Sequence, residues 1–132
     1  MGAQGARQQE VVLDAGALIG LERGSGRLLA LLERARKSKS RFFVPAAVLA
    51  QAWREGARQV LLARFVRSGS VEVVALTEAQ AKAAGTLCGL SGTRDVVDAS
   101  VVVCARERNC PVITGDPKDL RALDAELELH VI

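Results

Sequence analysis

Apolar residues are grouped along the chain in two ways that indicate two kinds of secondary structure. Five short runs are dense in apolar residues and are bounded by glycine, proline or charged residues, a pattern typical of β-strands in a buried sheet. Valine and leucine, which suit a pleated sheet, are their commonest residues. The predicted strands are residues 10–14, 41–45, 71–76, 111–116 and 127–132.

Between these runs the apolar residues recur every three or four positions, which predicts amphipathic helices. Thr77, followed by Gln80, has the pattern of a helix start, and Pro117 suits the first turn of the last helix. The segment 95–109 is rich in valine, so its pattern alone also fits a strand, but its length and its charged far end favour a helix. The predicted helices are residues 15–24, 26–39, 46–56, 57–69, 77–90, 95–109 and 117–127.

The alternation of strands and helices predicts an α/β fold, a three-layer α/β/α sandwich with a mainly parallel sheet of about five strands. The composition agrees, because 49% of the residues are hydrophobic but only 3% are aromatic. A core of Val, Leu, Ile and Ala suits a sheet covered by helices on both faces. With 132 residues and no internal repeat or linker, we expect one domain over residues 10–132. The polar, glycine-containing residues 1–9 are expected to be a flexible N-terminus.

Charge, cysteine and histidine content narrow the possible functions. The net charge of +3 is compatible with nucleic-acid binding but does not require it. Cys88, Cys104 and Cys110 are an odd number without a C-x-x-C pair, which favours a reduced, cytoplasmic protein. His130 is the single histidine, which argues against a zinc site and against Ser-His or Cys-His catalysis. No apolar run approaches the ~20 residues needed to cross a membrane, so no membrane association is expected.

Several aspartates are expected to meet at one end of the sheet. Asp14 ends the first predicted strand and Asp116 ends the fourth. The carboxyl ends of parallel strands lie at the same edge of a sheet, where functional groups gather. Asp98 lies in the first turns of the helix before the fourth strand, and Asp95 precedes it by three residues on the same side. Asp119 follows Asp116 by three and can face the same way.

Clustered carboxylates repel one another, so they need protons or cations to relieve the repulsion. Hard oxygen ligands suit Mg²⁺ or Mn²⁺, and such an ion can activate water and stabilise the charge on a phosphodiester that is being cut. Each aspartate also has a structural alternative: Asp98 and Asp116 as helix caps, Asp95 and Asp119 as structural or supporting groups. Asp14, between a buried strand and a turn of small residues, is the hardest to explain in this way.

Three segments of the chain resemble one known family. They read "VVLDAGALIGLERG", "VPAAVLAQAWREG" and "DVVDASVVVCARERNCPVITGDPKDL", and their order and spacing extend over nearly the whole chain. Together they resemble PIN-domain proteins of the VapC type, which are toxins of bacterial toxin–antitoxin pairs. The resemblance implies a five-stranded parallel sheet, an endoribonuclease activity that depends on Mg²⁺ or Mn²⁺, an RNA substrate, a homodimer, and inhibition by a VapB-like antitoxin.

The same resemblance implies roles for individual residues. Asp14, Asp98 and Asp116 would be the catalytic metal ligands, positioning one or two cations and, through them, the attacking water and the scissile phosphate. Asp119 matches a position that is frequently acidic and would support the site. Asp95 is a further acid placed by its spacing rather than by the family pattern.

The chain departs from the family pattern at Gln51. The family usually has a glutamate there, in the segment that reads "VLAQAWREG" in this chain. Glutamine is neutral and a poorer ligand for Mg²⁺ than a carboxylate. Glu55, one turn later on the same predicted helix and ~6 Å along its axis, would compensate, or Asp95 would do so. A PIN-like binding module with weak or no catalysis is therefore the alternative to a nuclease.

Three further features have less specific interpretations. Arg94, beside the acidic group, is a candidate for an RNA phosphate contact or for pairing with the carboxylates. Thr114 is close enough to Asp116 in the chain to orient it, although packing or capping is the commoner role. The basic stretch 34–41 can meet an RNA backbone or can be a solvated helix end.

A signalling domain resembling response-regulator receivers fits less well, because only one acid follows the first strand.

Overall fold

The five predicted strands form one parallel sheet. A computed structural model describes residues 9–132 of the protein, so the flexible N-terminus predicted for residues 1–9 lies outside the described residues except for Gln9. The strand order is β3-β2-β1-β4-β5, and every neighbouring pair is parallel. The strands are β1 (Glu10–Leu13), β2 (Arg41–Pro45), β3 (Val71–Val74), β4 (Val112–Thr114) and β5 (Leu129–Val131).

Seven α-helices connect these strands within the described residues, together with a short 3₁₀ helix at Gly56–Arg58. The segment 95–109 is indeed helical, which confirms the interpretation from its length. Among residues 9–132, no helix combines the length and apolar character needed to cross a membrane. The helices are α1 (Ala15–Glu22), α2 (Gly26–Lys37), α3 (Ala46–Ala52), α4 (Val60–Arg67), α5 (Glu78–Ser91), α6 (Val96–Arg108) and α7 (Pro117–Leu123).

The strand order separates the helices into two layers. Crossovers between parallel strands are right-handed, so the helices that lead from β1 to β2 and from β2 to β3 lie on one face. The chain then returns across the sheet to β4 and β5, which places α5, α6 and α7 on the other face. The contacts agree, since α1 packs on α2, α3 and α4, while α5, α6 and α7 pack on one another. Helix α3 also packs on α6, so these two helices connect the layers. The predicted three-layer architecture is confirmed.

The core is aliphatic, as the composition predicted. Val12, Leu13, Val44 and Val101 are fully buried. Seven consecutive residues of α6, 99–105, are buried as well. This helix packs against β1, β2 and three other helices, so apolar residues are required on most of its circumference. That environment explains why its sequence lacks a clear amphipathic period.

One predicted helix ends earlier than its sequence suggested. Helix α3 stops at Ala52 rather than continuing to residue 56, and Trp53 is already extended, with φ −78° and ψ 132°. The cause is Gln59, whose side chain is buried. Its Nε2 donates to the Ala52 carbonyl over 2.9 Å, and its Oε1 accepts from the backbone N–H groups of Arg54 (2.8 Å) and Glu55 (3.0 Å). The prediction that Glu55 lies one turn after Gln51 on the same helix face is therefore wrong.

Candidate metal centre

The ends of β1 and β4 bring two aspartates to the same edge of the sheet. The two strands are neighbours, with Leu13 paired to Ile113. Asp14 follows directly, and its backbone N–H donates to the Ile113 carbonyl over 3.2 Å. Asp116 follows β4 after one intervening glycine. Register alone thus places both residues beyond the carboxyl ends of adjacent strands, as the sequence predicted.

Asp14 is held by a network of hydrogen bonds in the protein interior. Only 2% of its surface is exposed. Its side chain caps α1 by accepting from the Ala17 N–H over 2.8 Å. The buried Thr114 hydroxyl donates to the other carboxylate oxygen of Asp14. The same hydroxyl accepts from the backbone N–H of Asp116 over 2.8 Å, so Thr114 connects the two aspartates.

Burial raises the pKa of Asp14, because removal from water disfavours the charged form. The hydrogen bonds from Thr114 and from the backbone of Ala17 and Gly115 oppose this rise, whereas the nearby charge of Asp116 adds to it. Asp14 is therefore a carboxylate that the fold orients firmly but does not neutralise with a basic side chain.

Asp95 and Asp98 lie at the start of α6. Asp95 is the N-cap, and its side chain accepts from the Asp98 N–H over 2.9 Å. Asp98 itself lies in the first turn, so capping is the role of Asp95 and not of Asp98. Burial, followed by the charge of Asp95, a hydrogen bond with it, and the charges of Asp14 and Asp119, raises the pKa of Asp98 to about 7. This carboxyl group is half protonated near neutral pH unless a cation relieves the repulsion.

Asp116 and Asp119 lie at the start of α7. Asp116 occupies the N-cap position, with Pro117 at the first helical position, but its side chain makes no capping hydrogen bond. Helix capping, the structural alternative for Asp116, is therefore not observed. A side-chain hydrogen bond with Asp116 raises the pKa of the exposed Asp119, and the charges of Asp116 and Asp95 act in the same direction. All five aspartates are thus linked by mutual repulsion or hydrogen bonding.

The donor chemistry of this cluster suits a hard divalent cation only in part. Carboxylate oxygens are the ligands that Mg²⁺ and Mn²⁺ prefer, and Mg²⁺ commonly uses one or two of them and keeps several waters. Within residues 9–132, however, no three Asp, Glu, His or Cys side chains are close enough to hold one ion together. The aspartates therefore provide the right chemistry at one edge, but they do not form a closed three-ligand cage.

The residues proposed to compensate for the missing glutamate lie in two places. Asp95, Asp98 and Asp119 line one concavity, together with Thr93. Gln51 and Glu55 line a different one, shared with Glu22, Arg23 and Gln59. Of the two candidates, Asp95 is therefore the one that the structure brings to the cluster. The shared position of Glu22 and Gln51 had no signal in the sequence, because it depends on how α1 packs against α3.

Arg94 lies in the loop between α5 and α6 and is exposed. It forms no ion pair with another described residue, so the predicted pairing with the carboxylates is not observed.

The backbone donors to Asp14 were not anticipated from the sequence. The small residues that follow Asp14 in "LDAGA" were the available signal, since a short polar residue before such a turn is a typical helix cap.

The fold and the acidic edge together define a class: small parallel α/β domains with a carboxylate cluster at the ends of neighbouring strands. The chain belongs to the PIN domain family, whose family model matches residues 11–126. This confirms the family that the sequence resembles. No curated protein sequence is a significant match to the chain.

Several solved structures share this fold. VapBC2 of Rickettsia felis, bound to a DNA fragment from its promoter, matches with a TM-score of 0.70 at 15% identity, over 94% of this chain and 99% of that one. FitAcB of Neisseria gonorrhoeae matches with a TM-score of 0.60 at 15% identity, over 90% and 95%. VapC20 of Mycobacterium tuberculosis, a toxin that cleaves the sarcin–ricin loop, matches with a TM-score of 0.56 at 18% identity, over 77% and 86%.

Proposed function

We propose that this protein is a metal-dependent endoribonuclease that acts as the toxin of a VapBC-type pair. The observation that carries the proposal is the convergence of five aspartates at one edge of a PIN fold, with Asp14 buried and oriented by Thr114. Such a cluster costs stability unless something positively charged binds there, which indicates that it is kept for function.

Asp14, Asp98 and Asp116 would hold Mg²⁺ or Mn²⁺, one or two of them as direct ligands and the rest through bound water. When bound, such an ion activates water and stabilises the charge that develops on a phosphodiester during hydrolysis. The chain's own contribution is orientation: Thr114 holds the Asp14 carboxylate and the turn before Asp116. Asp95 fixes the first turn of α6, which carries Asp98. Asp119, whose pKa is raised by its proximity to Asp116, would support the site from the first turn of α7.

The family and the fold support a proposal for the substrate and partners. The VapC20 neighbour is an RNA-cleaving toxin, and the R. felis neighbour is a toxin–antitoxin complex, which supports an RNA substrate and a VapB-like antitoxin. Arg94, exposed next to Asp95, would contact an RNA phosphate. We place the protein in the cytoplasm, where RNA and antitoxin are present, as a homodimer whose mass in sedimentation should be twice that of one chain.

The direct test is cleavage of RNA by the purified protein with Mg²⁺, with Mn²⁺ and with EDTA, next to the Asp116→Asn variant. We expect cleavage that requires a divalent ion and is lost in the variant, because the substitution removes a ligand charge with little change in shape. Cleavage that persists in EDTA or in Asp116→Asn would contradict the proposed site.

A second candidate function is a PIN-like binding module without catalysis. Gln51 supports it, because the chain lacks the carboxylate that the family usually has there, and so does the absence of a three-ligand cage within residues 9–132. The two functions differ in one measurement. A binding module would bind a partner but leave every RNA of a structured panel intact with either metal, whereas the proposed nuclease would cut at least one of them.

A further inference from the structure

The segment 34–41 gives the amino edge of the sheet a strongly basic surface. It contains five basic residues and no acidic one, and it joins the end of α2 to the start of β2. Part of it lines a concavity of about 310 Å³ before β2 and β3, which we call the basic concavity. Its lining residues are Arg36, Lys39, Ser40, Arg41, Gly69 and Ser70.

Lys39 has an unusual backbone conformation for its residue type. Its φ is +58°, in the left-handed region. The chain leaves α2 at this point, where the Lys39 N–H donates to the Arg36 carbonyl and the Ser40 N–H donates to the Ala35 carbonyl, both over 2.9 Å. This position normally carries glycine or asparagine, because a β-carbon clashes there. A strained lysine at the rim of a basic surface suggests that its charge is useful. The other left-handed residues of 9–132 are Gly24, Gly92 and Asn109.

The arginines of the basic concavity make ion pairs at the protein surface. Arg36 pairs with Glu33 through two hydrogen bonds, one from Nε to Oε2 (3.0 Å) and one from a terminal guanidinium nitrogen to Oε1 (2.5 Å), whereas Arg41 pairs with Glu72 through a single contact of 3.4 Å. An exposed single-contact pair contributes little free energy, so a phosphate can replace Glu72 at small cost. The guanidinium of Arg36 can present the same two-pronged geometry to a phosphate, which must there compete with Glu33.

A nuclease with an acidic site needs positive charge elsewhere to hold its substrate. The aspartate cluster repels a phosphodiester backbone, which must be attracted by other parts of the surface. Five of the 15 acidic residues belong to that cluster, so the rest of the chain has 18 basic residues against 10 acidic ones. The densest group of these basic residues lies at the amino edge, one β2 strand of about 17 Å away from the carboxyl edge.

We propose that the basic concavity is a second contact site for the RNA substrate, which binds backbone phosphates there while the scissile phosphate lies at the aspartates. The inference rests on the proposed function for the identity of the polyanion. It implies that the substrate is an RNA long or folded enough to reach both edges of the sheet.

The test measures RNA binding without cleavage. In an Asp116→Asn background, the Arg36→Gln/Lys39→Gly double variant is titrated with an oligouridine of about 20 nucleotides across a salt series. We expect affinity to fall about tenfold, and the slope of log affinity against log salt to become shallower by about 0.7 for each lost charge. Lys82→Gln is the matched control, since Lys82 also pairs with an exposed acid but lies on α5.

The single variant Lys39→Gly distinguishes an RNA-binding role of Lys39 from a structural one, because the two roles predict different changes in thermal midpoint and RNA affinity. Glycine relieves the left-handed strain, so the thermal midpoint should stay the same or rise while RNA affinity falls. A lower midpoint together with unchanged affinity would overturn the proposal and make Lys39 structural. Unchanged affinity and salt slope in the double variant would overturn it as well.

Two further arms separate this proposal from the proposed function. In the otherwise native sequence, the double variant should cleave a long RNA more slowly but cut a dinucleotide at the normal rate. If the native protein cuts no RNA, the proposed nuclease fails, while the binding arm still decides whether the basic concavity holds RNA. If the double variant loses polyglutamate but keeps oligouridine, the ligand is an acidic polypeptide and the RNA assignment is wrong.

Discussion

The ends of β1 and of α3 both carry a residue that the family pattern assigns to the metal site, but the fold holds the two residues differently. Asp14 is buried and accepts hydrogen bonds from Thr114 and Ala17. Gln51 is exposed on the last turn of α3, and the buried Gln59 stabilises the turn that follows it. In one region buried hydrogen bonds orient a carboxylate; in the other they only terminate a helix.

This difference indicates that the fold fixes the orientation of the Asp14 side chain but not that of Gln51. A carboxylate that is buried without a basic partner destabilises the protein, so under the proposed function we expect the network around Asp14 to serve metal binding as well as folding. The Gln59 side chain, by contrast, forms hydrogen bonds with backbone groups of the turn after α3, and such bonds contribute to the free energy of folding. The five predictions below test that contrast, beginning with the largest effect.

Asp98→Asn should reduce metal-dependent RNA cleavage by about 100-fold or more, because even groups that only support a metal ligand are commonly worth 10–100-fold. The substitution keeps the shape of the side chain and removes its charge. Single-turnover cleavage at saturating Mg²⁺ is the measurement. Glu126→Gln is the control: it also removes one negative charge, but from an exposed side chain, and it should cleave normally. Activity close to that of the control in Asp98→Asn would remove Asp98 from the site.

Thr114→Val should weaken Mg²⁺ binding about 10-fold or more and lower the free energy of unfolding by about 1–3 kcal/mol. Valine matches threonine in shape but can neither donate to Asp14 nor accept from the Asp116 N–H. Calorimetric titration and urea unfolding give the two quantities.

Gln59→Leu is the matched variant from the second region. It removes buried hydrogen bonds of similar strength around the end of α3, so we expect a comparable loss of stability with unchanged Mg²⁺ affinity. If both variants weakened Mg²⁺ binding equally, the contrast between the two regions would not hold.

The metal-free protein should become less stable as pH rises from about 4 to about 7. Burial and the neighbouring acids raise the pKa of Asp98 from 3.8 to about 7, so over this range the folded state holds a proton that the unfolded state has released. Stability falls with pH wherever the folded state binds more protons. Thermal unfolding in EDTA at several pH values tests this. Asp98→Asn and saturating Mg²⁺ should each flatten the profile, and an equally steep profile in Asp98→Asn would contradict the assignment.

Gln51→Glu should have the smallest effect. A new negative charge in the neighbouring concavity attracts Mg²⁺ weakly through solvent, so the concentration needed for half-maximal cleavage should fall about two- to fivefold. A decrease of 100-fold or more would mean that residue 51 reaches the ion directly, and the two regions would then form one site.

The sequence was sufficient for those features that depend on short-range pattern. Apolar runs identified all five strands, and parallel strands necessarily bring Asp14 and Asp116 to the same edge. The end of α3 was missed because it depends on Gln59, a side chain seven residues beyond Ala52 that folds back into the interior. The Thr114 bridge was anticipated only toward Asp116, since its contact with Asp14 joins residues 100 positions apart.

That separation has a consequence for synthesis of the protein. The proposed ligands come from opposite ends of the chain, and β1 acquires its neighbour β4 only after α6 has been made. A ribosome that is still extending the first two thirds of the polypeptide has therefore not yet made Asp98 or Asp116. Under the proposed function, an unfinished copy would therefore lack two of its three metal ligands and could not cleave the RNA around it.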